Sequence, residues 1–172
     1  MKTLLEVGDF APDFSLVGTD GLIYSINQYK GYRAIVLFFT SDACPYARGM
    51  NGYLKGLVGE FHKKGVAFLG IHPNEEPLEN GSPWANLYDP TQQIAKRYGA
   101  TTTPHFFLFD HHRMLIYSGR ALDNPKAPEL CTHEELKDAL TELLDLRPIT
   151  TSETDPIGCA IQWIGSEELV LV

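Results

Sequence analysis

Two unbroken apolar runs stand out along this chain. Residues 34–39 read Ala-Ile-Val-Leu-Phe-Phe and residues 66–71 read Val-Ala-Phe-Leu-Gly-Ile. Such runs, rich in β-branched and aromatic side chains, suit strands buried on both faces, as in a mostly parallel sheet covered by helices. Between them the period changes to about 3.6. Met50, Tyr53, Leu54, Leu57, Val58 and Phe61 fall on one face of a helix over residues 45–64, and Gly65 is placed to end it.

The remaining pattern fills in one α/β domain over residues 1–172, with a central mixed sheet flanked by helices. Turn residues Gly18-Thr19-Asp20-Gly21 separate two β-suited flanks, 13–16 and 22–25, which predicts an N-terminal β-hairpin. Residues 75–83 read as a proline-bearing loop, and 90–98 as a short helix with Asp89 as N-cap and Gly99 as stop. Residues 105–110 and 114–118 bracket Asp110-His111-His112-Arg113 as a second hairpin, its histidines simply solvated. A proline-bearing linker over 122–130 leads to a last helix over 132–146. Thr132 and Glu135 have capping-box spacing there, and Leu136, Leu140, Leu143 and Leu144 form its apolar stripe. Residues 147–172 are a C-terminal tail held by Ile157, Ile161 and Trp163, with a terminal strand expected over 167–172.

Gly49, Gly52, Gly56 and Gly59 form a stripe on the long helix. Each costs about 1 kcal/mol relative to alanine. Such a stripe implies a close backbone neighbour, within the monomer or across a homodimer, or else a soft helix.

Composition narrows the function. With 172 residues and a net charge of −8, neither nucleic acid nor an anionic membrane is an expected partner. No apolar run approaches the roughly 20 residues of a membrane span, and residues 1–10 lack the pattern of a secretory signal. Three cysteines without tight spacing do not make a disulfide framework and suit a reducing compartment, so the expected location is cytoplasmic. No spacing of cysteine and histidine suggests a metal, no glycine-rich loop suggests phosphate binding, and no cofactor is expected.

The chemistry centres on Cys44. The strand at 34–39 stops at Thr40-Ser41-Asp42, and Pro45 suits the first position of the following helix. Cys44 then stands at the N-cap, facing unsatisfied N–H groups and the positive end of the helix dipole. A free thiol with pKa about 8.5 is only about 3% ionised at pH 7. Lowering it to about 6.5, an ordinary shift at a helix N-terminus, ionises roughly three-quarters. The plainer alternative is a small buried hydrophobe.

Four segments carry a family resemblance. Val7-Gly8-Asp9-Phe10-Ala11-Pro12-Asp13-Phe14-Ser15-Leu16 resembles the opening G-x-x-A-P-D-F-x-L of thioredoxin-like redoxins in the alkyl hydroperoxide reductase and thiol-specific antioxidant (AhpC/TSA) family. Phe39-Thr40-Ser41-Asp42-Ala43-Cys44-Pro45-Tyr46 resembles the F-T-C-x-x-C-P-Y of one subgroup. Tyr98-Gly99-Ala100-Thr101-Thr102-Thr103-Pro104 resembles a Y-G-x-x-x-x-P leading into a cis-proline strand. Gly158-Cys159-Ala160-Ile161-Gln162-Trp163 resembles the subgroup's terminal G-C-x-I-x-W.

The resemblance implies a thioredoxin-like fold, a cis bond before Pro104 beside the reactive cysteine, and a Thr103 backbone that orients substrate together with Pro104 and Pro45. It also exposes departures. Ser41 replaces the first cysteine of C-x-x-C, and Ala47 stands where a thioredoxin has its second. Ser41 fits a peroxiredoxin's peroxide-binding hydroxyl, but Leu37 and Pro104 stand where that pattern has its proline and arginine. The family's additional helix before Trp84 has no room here. Cys44 therefore acts alone or with a distant thiol. Cys159 is the candidate, as resolving cysteine or as a small core residue pinning the tail beside Trp163, while Cys131 is incidental. His72 and His105 are either proton relays or merely bonded in the core.

The expected function is a thiol-dependent oxidoreductase taking a peroxide or disulfide substrate and an external thiol reductant, a fast dedicated peroxidase being disfavoured by the missing residues. The alternative is a thioredoxin-like binding module that has lost its second cysteine.

Overall fold

The computed structural model describes residues 5–78 and 81–165; the terminal strand expected over 167–172 lies outside them. Nine strands are described: β1 Leu16–Gly18, β2 Ile23–Tyr24, β3 Ala34–Phe39, β4 Val66–His72, β5 Ala85–Tyr88, β6 Thr102–Thr103, β7 His105–Asp110, β8 Leu115–Gly119 and β9 Cys159–Ala160. With them are the helices α1 Pro45–His62, α2 Gln93–Tyr98 and α3 Glu135–Leu144. Seven strands form one sheet in the order β2-β1-β5-β4-β3-β7-β8. β3 and β5 run parallel to β4, while β7 is antiparallel to β3 and β1 to β5, so the sheet is mixed as expected.

The apolar run of β3 is central and every residue in it is buried. Side chains alternate across the pleat. Val36 and Phe38 meet Met50, Leu54, Leu57, Val58 and Phe61 of α1 and Leu136, Ala139 and Leu140 of α3. Ile35, Leu37 and Phe39 point the other way, into a cluster with Ile94, Ala95 and Tyr98 of α2. Two cores therefore lie on opposite faces of the sheet, and the carboxyl end of β3 delivers the chain into α1.

Several expectations shift. The N-terminal hairpin forms from β1 and β2, its first strand running over 16–18 rather than 13–16. Asp20 closes its turn, accepting from the Leu22 N–H and the Tyr24 hydroxyl. β5 falls in a stretch the sequence pattern left unassigned, because Ala-Asn-Leu-Tyr has neither alternation nor a run. α2 starts at Gln93 rather than at 90, with Gln92 and not Asp89 in the N-cap position, but the Asp89 carboxylate still accepts from the Ile94 and Ala95 N–H groups at 3.5 and 2.9 Å. The capping box does not form. Thr132 bonds Asp123 through its N–H and hydroxyl, and the Glu135 carboxylate pairs with Arg120. α3 consequently starts at Glu135, with no side-chain cap from Glu134.

The tail is docked along its described part, residues 147–165. The Ser118 N–H donates to the Ser152 carbonyl and the Ser118 carbonyl accepts from the Thr154 N–H, while Gly119, at φ +141°, lies against Thr154 with no space for a Cβ. β9 then pairs antiparallel with β6, Thr103 opposite Cys159, and Ile161 is buried in the second core. No helix among the described residues is long and apolar enough to cross a membrane.

Candidate active site

Cys44 is the N-cap of α1, with extended backbone (φ −79°, ψ 122°) and Pro45 at the first helical position. Since proline has no N–H, the first free amides of the helix are those of Tyr46 and Ala47. The Ala47 N–H lowers the pKa of the Cys44 thiol and the Tyr46 N–H that of the Cys159 thiol, although Cys44 makes no side-chain capping hydrogen bond. One helix terminus thus serves two thiols. Cys44 and Cys159, 115 positions apart in the chain, have their Sγ atoms 2.9 Å apart and remain unbonded.

The Thr103–Pro104 bond is cis, and the Thr103 carbonyl lies 3.0 Å from the Cys44 Sγ. Cys44 has one thiol proton, which the Thr103 carbonyl can accept; the Cys159 S–H is then free to donate to the Cys44 sulfur. Burial by itself would push the Cys44 thiol up. Hydrogen bonds from the Cys159 thiol, the Ala47 N–H, the Thr103 side chain and the Cys159 backbone outweigh it, so Cys44 is more acidic than an ordinary thiol. Cys159 moves the other way. Burial raises it, as do its hydrogen bond to Cys44 and the charge there, while Lys126 and the Tyr46 N–H only partly offset them. The pair titrates as a unit, with the first thiolate on Cys44. Cys44 is only 3% exposed and Cys159 is half-buried.

Other expected site residues sit differently. Ser41 lies beside Cys44 in the chain, but its hydroxyl donates to Glu75 at 2.6 Å and accepts from the Ala43 N–H at 3.2 Å. It organises the loop rather than bonding the Cys44 sulfur. Glu75 also accepts from the Asp42 N–H, and Asp42 from the Leu78 N–H, so the loop after β4 is stitched to the active-site turn. Glu75 had no sequence signal beyond membership of a loop.

Neither histidine is among the described hydrogen-bond partners of Cys44. His72 Nε2 lies 3.0 Å from the Asn86 Oδ1, which also receives the Trp84 indole N–H. That oxygen can only accept, so Nε2 is the donor, and Nδ1 is buried with no partner among the described residues. His105 pairs in register with Phe39, on the sheet face opposite α1. It stacks on Phe107, accepts the Thr101 N–H at Nδ1, and burial lowers its pKa to about 4. A neutral imidazole on that face does not supply the charge that would acidify Cys44. Cys131, the third cysteine, packs at the edge of the α1 core, and burial raises its thiol pKa.

The long helix explains one of its glycines. A Cβ on Gly49 would lie 2.8 Å from the Pro125 carbonyl oxygen, so the loop carrying Lys126 rests on helix backbone. Lys126 Nζ then stands 4.4 Å from the Tyr46 ring centroid, near the two thiols. Gly52, Gly56 and Gly59 face open space.

The model of the AhpC/TSA family matches residues 7–118, about two-thirds of the chain. The chain belongs to the AhpC/TSA family. A crystal structure of a hypothetical protein from Sinorhizobium meliloti 1021 superposes with a TM-score of 0.86 at 30% identity, covering 96% of this chain and 100% of that one. The fold is thioredoxin-like, an α/β mixed sheet flanked by helices. Among curated relatives, thiol-disulfide oxidoreductase ResA of Geobacillus thermodenitrificans is 28% identical over 116 residues, 63% of this chain and 66% of that protein. Peroxiredoxin Bcp of Escherichia coli K12 is 29% identical over 104 residues, 55% of this chain and 65% of that protein. The chain thus aligns with just under two-thirds of the length of these relatives. Cys159 lies beyond the stretch this AhpC/TSA protein shares with its family model, so the family match alone does not assign it a part.

Proposed function

We propose that the protein is a two-cysteine thiol oxidoreductase acting on small oxidants, with Cys44 as nucleophile and Cys159 as resolving thiol. The observation that carries this reading is the 2.9 Å contact between the two sulfurs, with the acidity divided so that Cys44 ionises first. The Cys44 thiolate attacks a hydroperoxide O–O bond, takes one oxygen as sulfenate and releases the alcohol or water. After protonation, the sulfenic acid condenses with the Cys159 thiol, forming the Cys44–Cys159 disulfide and expelling water. With a small disulfide the Cys44 thiolate expels one half as thiol and forms a mixed disulfide with the other half, which Cys159 then expels as a second thiol as the Cys44–Cys159 disulfide forms. Two equivalents of an external thiol then restore both cysteines and leave as a disulfide.

Small oxidants are favoured over protein disulfides by the backbone of Thr103. In a thioredoxin-like fold that edge receives substrate, and here β9 is already paired with it. A peptide would have to displace the tail, whereas a peroxide needs access only to a sulfur.

One equivalent of hydrogen peroxide or cystine is added to reduced protein, and the products are mapped by mass spectrometry. The Cys44–Cys159 bridge is expected in the parent chain. Cys159→Ser is expected to stop at a Cys44 sulfenic acid or mixed disulfide, and Cys44→Ser to consume no oxidant at that site. A parent chain whose Cys44 stays reduced would make the protein a binding module instead.

A further inference from the structure

We propose that Gln92 is the positioning residue that latches the tail and so sets the distance between Cys44 and Cys159. This rests on the two-cysteine reading above. Gln92 precedes α2 in left-handed backbone, φ +61°, a conformation that crowds any residue with a Cβ, and it is 2% exposed. Its side chain leaves the helix N–H groups to Asp89 and turns to other segments. The amide nitrogen donates to the Pro73 carbonyl at 2.9 Å and the Gln162 carbonyl at 2.8 Å, and the amide oxygen accepts from the Ile164 N–H at 2.8 Å.

Those three bonds join the loop after β4, the start of α2 and the tail three to five positions beyond Cys159. Asn74, next to Pro73, adds a second donor to the Gln162 carbonyl at 2.7 Å. Around Cys159 itself the tail's described backbone bonds are the two-residue β6–β9 ladder and the Ile161 N–H bond to Thr101. Gln92 pins the far side of that short ladder. A buried amide with both donors and its acceptor spent on the tail and an adjacent loop, in a backbone conformation glycine would hold with less strain, is built for a contact rather than for its own helix.

Held this way, Cys159 is presented to Cys44 at high effective concentration. Released, it keeps its chemistry and loses its placement. The same release removes the hydrogen bonds through which Cys159 acidifies Cys44.

Gln92→Gly tests this, because it deletes the side chain while suiting the positive φ. The rate of Cys44–Cys159 closure after one equivalent of hydrogen peroxide is expected to fall by about ten-fold or more, with the sulfenic acid accumulating. Alkylation of Cys44 against pH is expected to shift to a higher apparent pKa in Gln92→Gly. In the Cys159→Ser background the same substitution is expected to leave Cys44 alkylation unmoved, since Gln92 acts through Cys159.

Closure at the parental rate, or an equal shift in both backgrounds, would overturn the proposal and leave the two-cysteine reading standing. A parent chain that never forms the bridge overturns both. Should Gln92→Gly fail to fold, Asn74→Ala, which removes one bond to the same carbonyl, decides the matter: slower closure supports the latch and unchanged closure rejects it.

Discussion

A side chain at position 158 would place its first carbon 2.1 Å from the Thr103 carbonyl oxygen and 2.6 Å from the carbonyl carbon. Only hydrogen fits there, and the next residue is the thiol that meets Cys44. Overpacking at such a contact costs about 1–3 kcal/mol, and the short ladder beside it is the part free to yield. Gly158→Ala is therefore expected to shift β9 away from β6 and slow closure of the Cys44–Cys159 bridge by an order of magnitude or so. The global fold should persist, since the substitution touches neither core. Stopped-flow oxidation with intact-mass readout checks this, and closure at the parental rate would show that the ladder does not hold Cys159. At this scale Cys44, Pro45, Thr103 and Pro104 were legible, because a cysteine-proline pair after a buried strand and a threonine-proline before another leave local marks. Cys159 was named from its flanks, with a resolving and a structural part both open, but its contact with Cys44 was not legible, nor were those of Glu75 and Gln92, because each depends on which distant segments the fold brings together. For Cys159 the register of a two-residue ladder places it opposite Thr103.

Among the elements, α1 separates its glycines into two kinds that its sequence could not tell apart. Gly49 lies under the 125–126 backbone, while Gly52, Gly56 and Gly59 look into open space. Alanine at the last three should recover helix propensity of up to about 1 kcal/mol each, raising the melting temperature by roughly 2–4 °C per kcal/mol. Alanine at Gly49 should instead destabilise, because its Cβ meets the Pro125 carbonyl. Thermal unfolding of Gly49→Ala and of the triple variant distinguishes the two groups. A triple variant that lost stability and ran smaller on gel filtration than the parent would reveal a second copy packed on that face. The long elements were readable because β3, α1, β4 and the β7–β8 hairpin each sustain one period over many residues. β5 was missed for want of a period. The expected cap of α3 failed because Thr132 and Glu135 found Asp123 and Arg120, partners that a local pattern does not contain.

At the scale of the molecule, the sheet divides two tasks between its faces. The α1 side carries the thiol pair at its edge, and the α2 side buries His105 against Phe107 in register with Phe39. The two-sided core was implied by unbroken strands, but which face each histidine joined followed only from strand order and register. Burial on the α2 side makes His105 a built-in sensitivity to acid. In the unfolded chain its imidazole titrates near 6.5; in the folded protein it does so at about 4. Between those values the unfolded state takes up a proton that the native state refuses, so acidification favours unfolding. The contribution is fully present above pH 6.5, declines as pH falls, and is lost once pH passes through 4. At 1.36 kcal/mol per unit, the span amounts to about 3 kcal/mol. His105→Gln, which offers Thr101 an oxygen acceptor that does not titrate, removes this term while leaving the carboxylates in place. Denaturant unfolding of both proteins at pH 7, 5.5 and 4 should therefore show the parent losing about 3 kcal/mol more than the variant across that range. Parallel losses would mean that His105 accepts its proton in the fold as readily as in the open chain, and that the α2 face is wetter than its packing indicates.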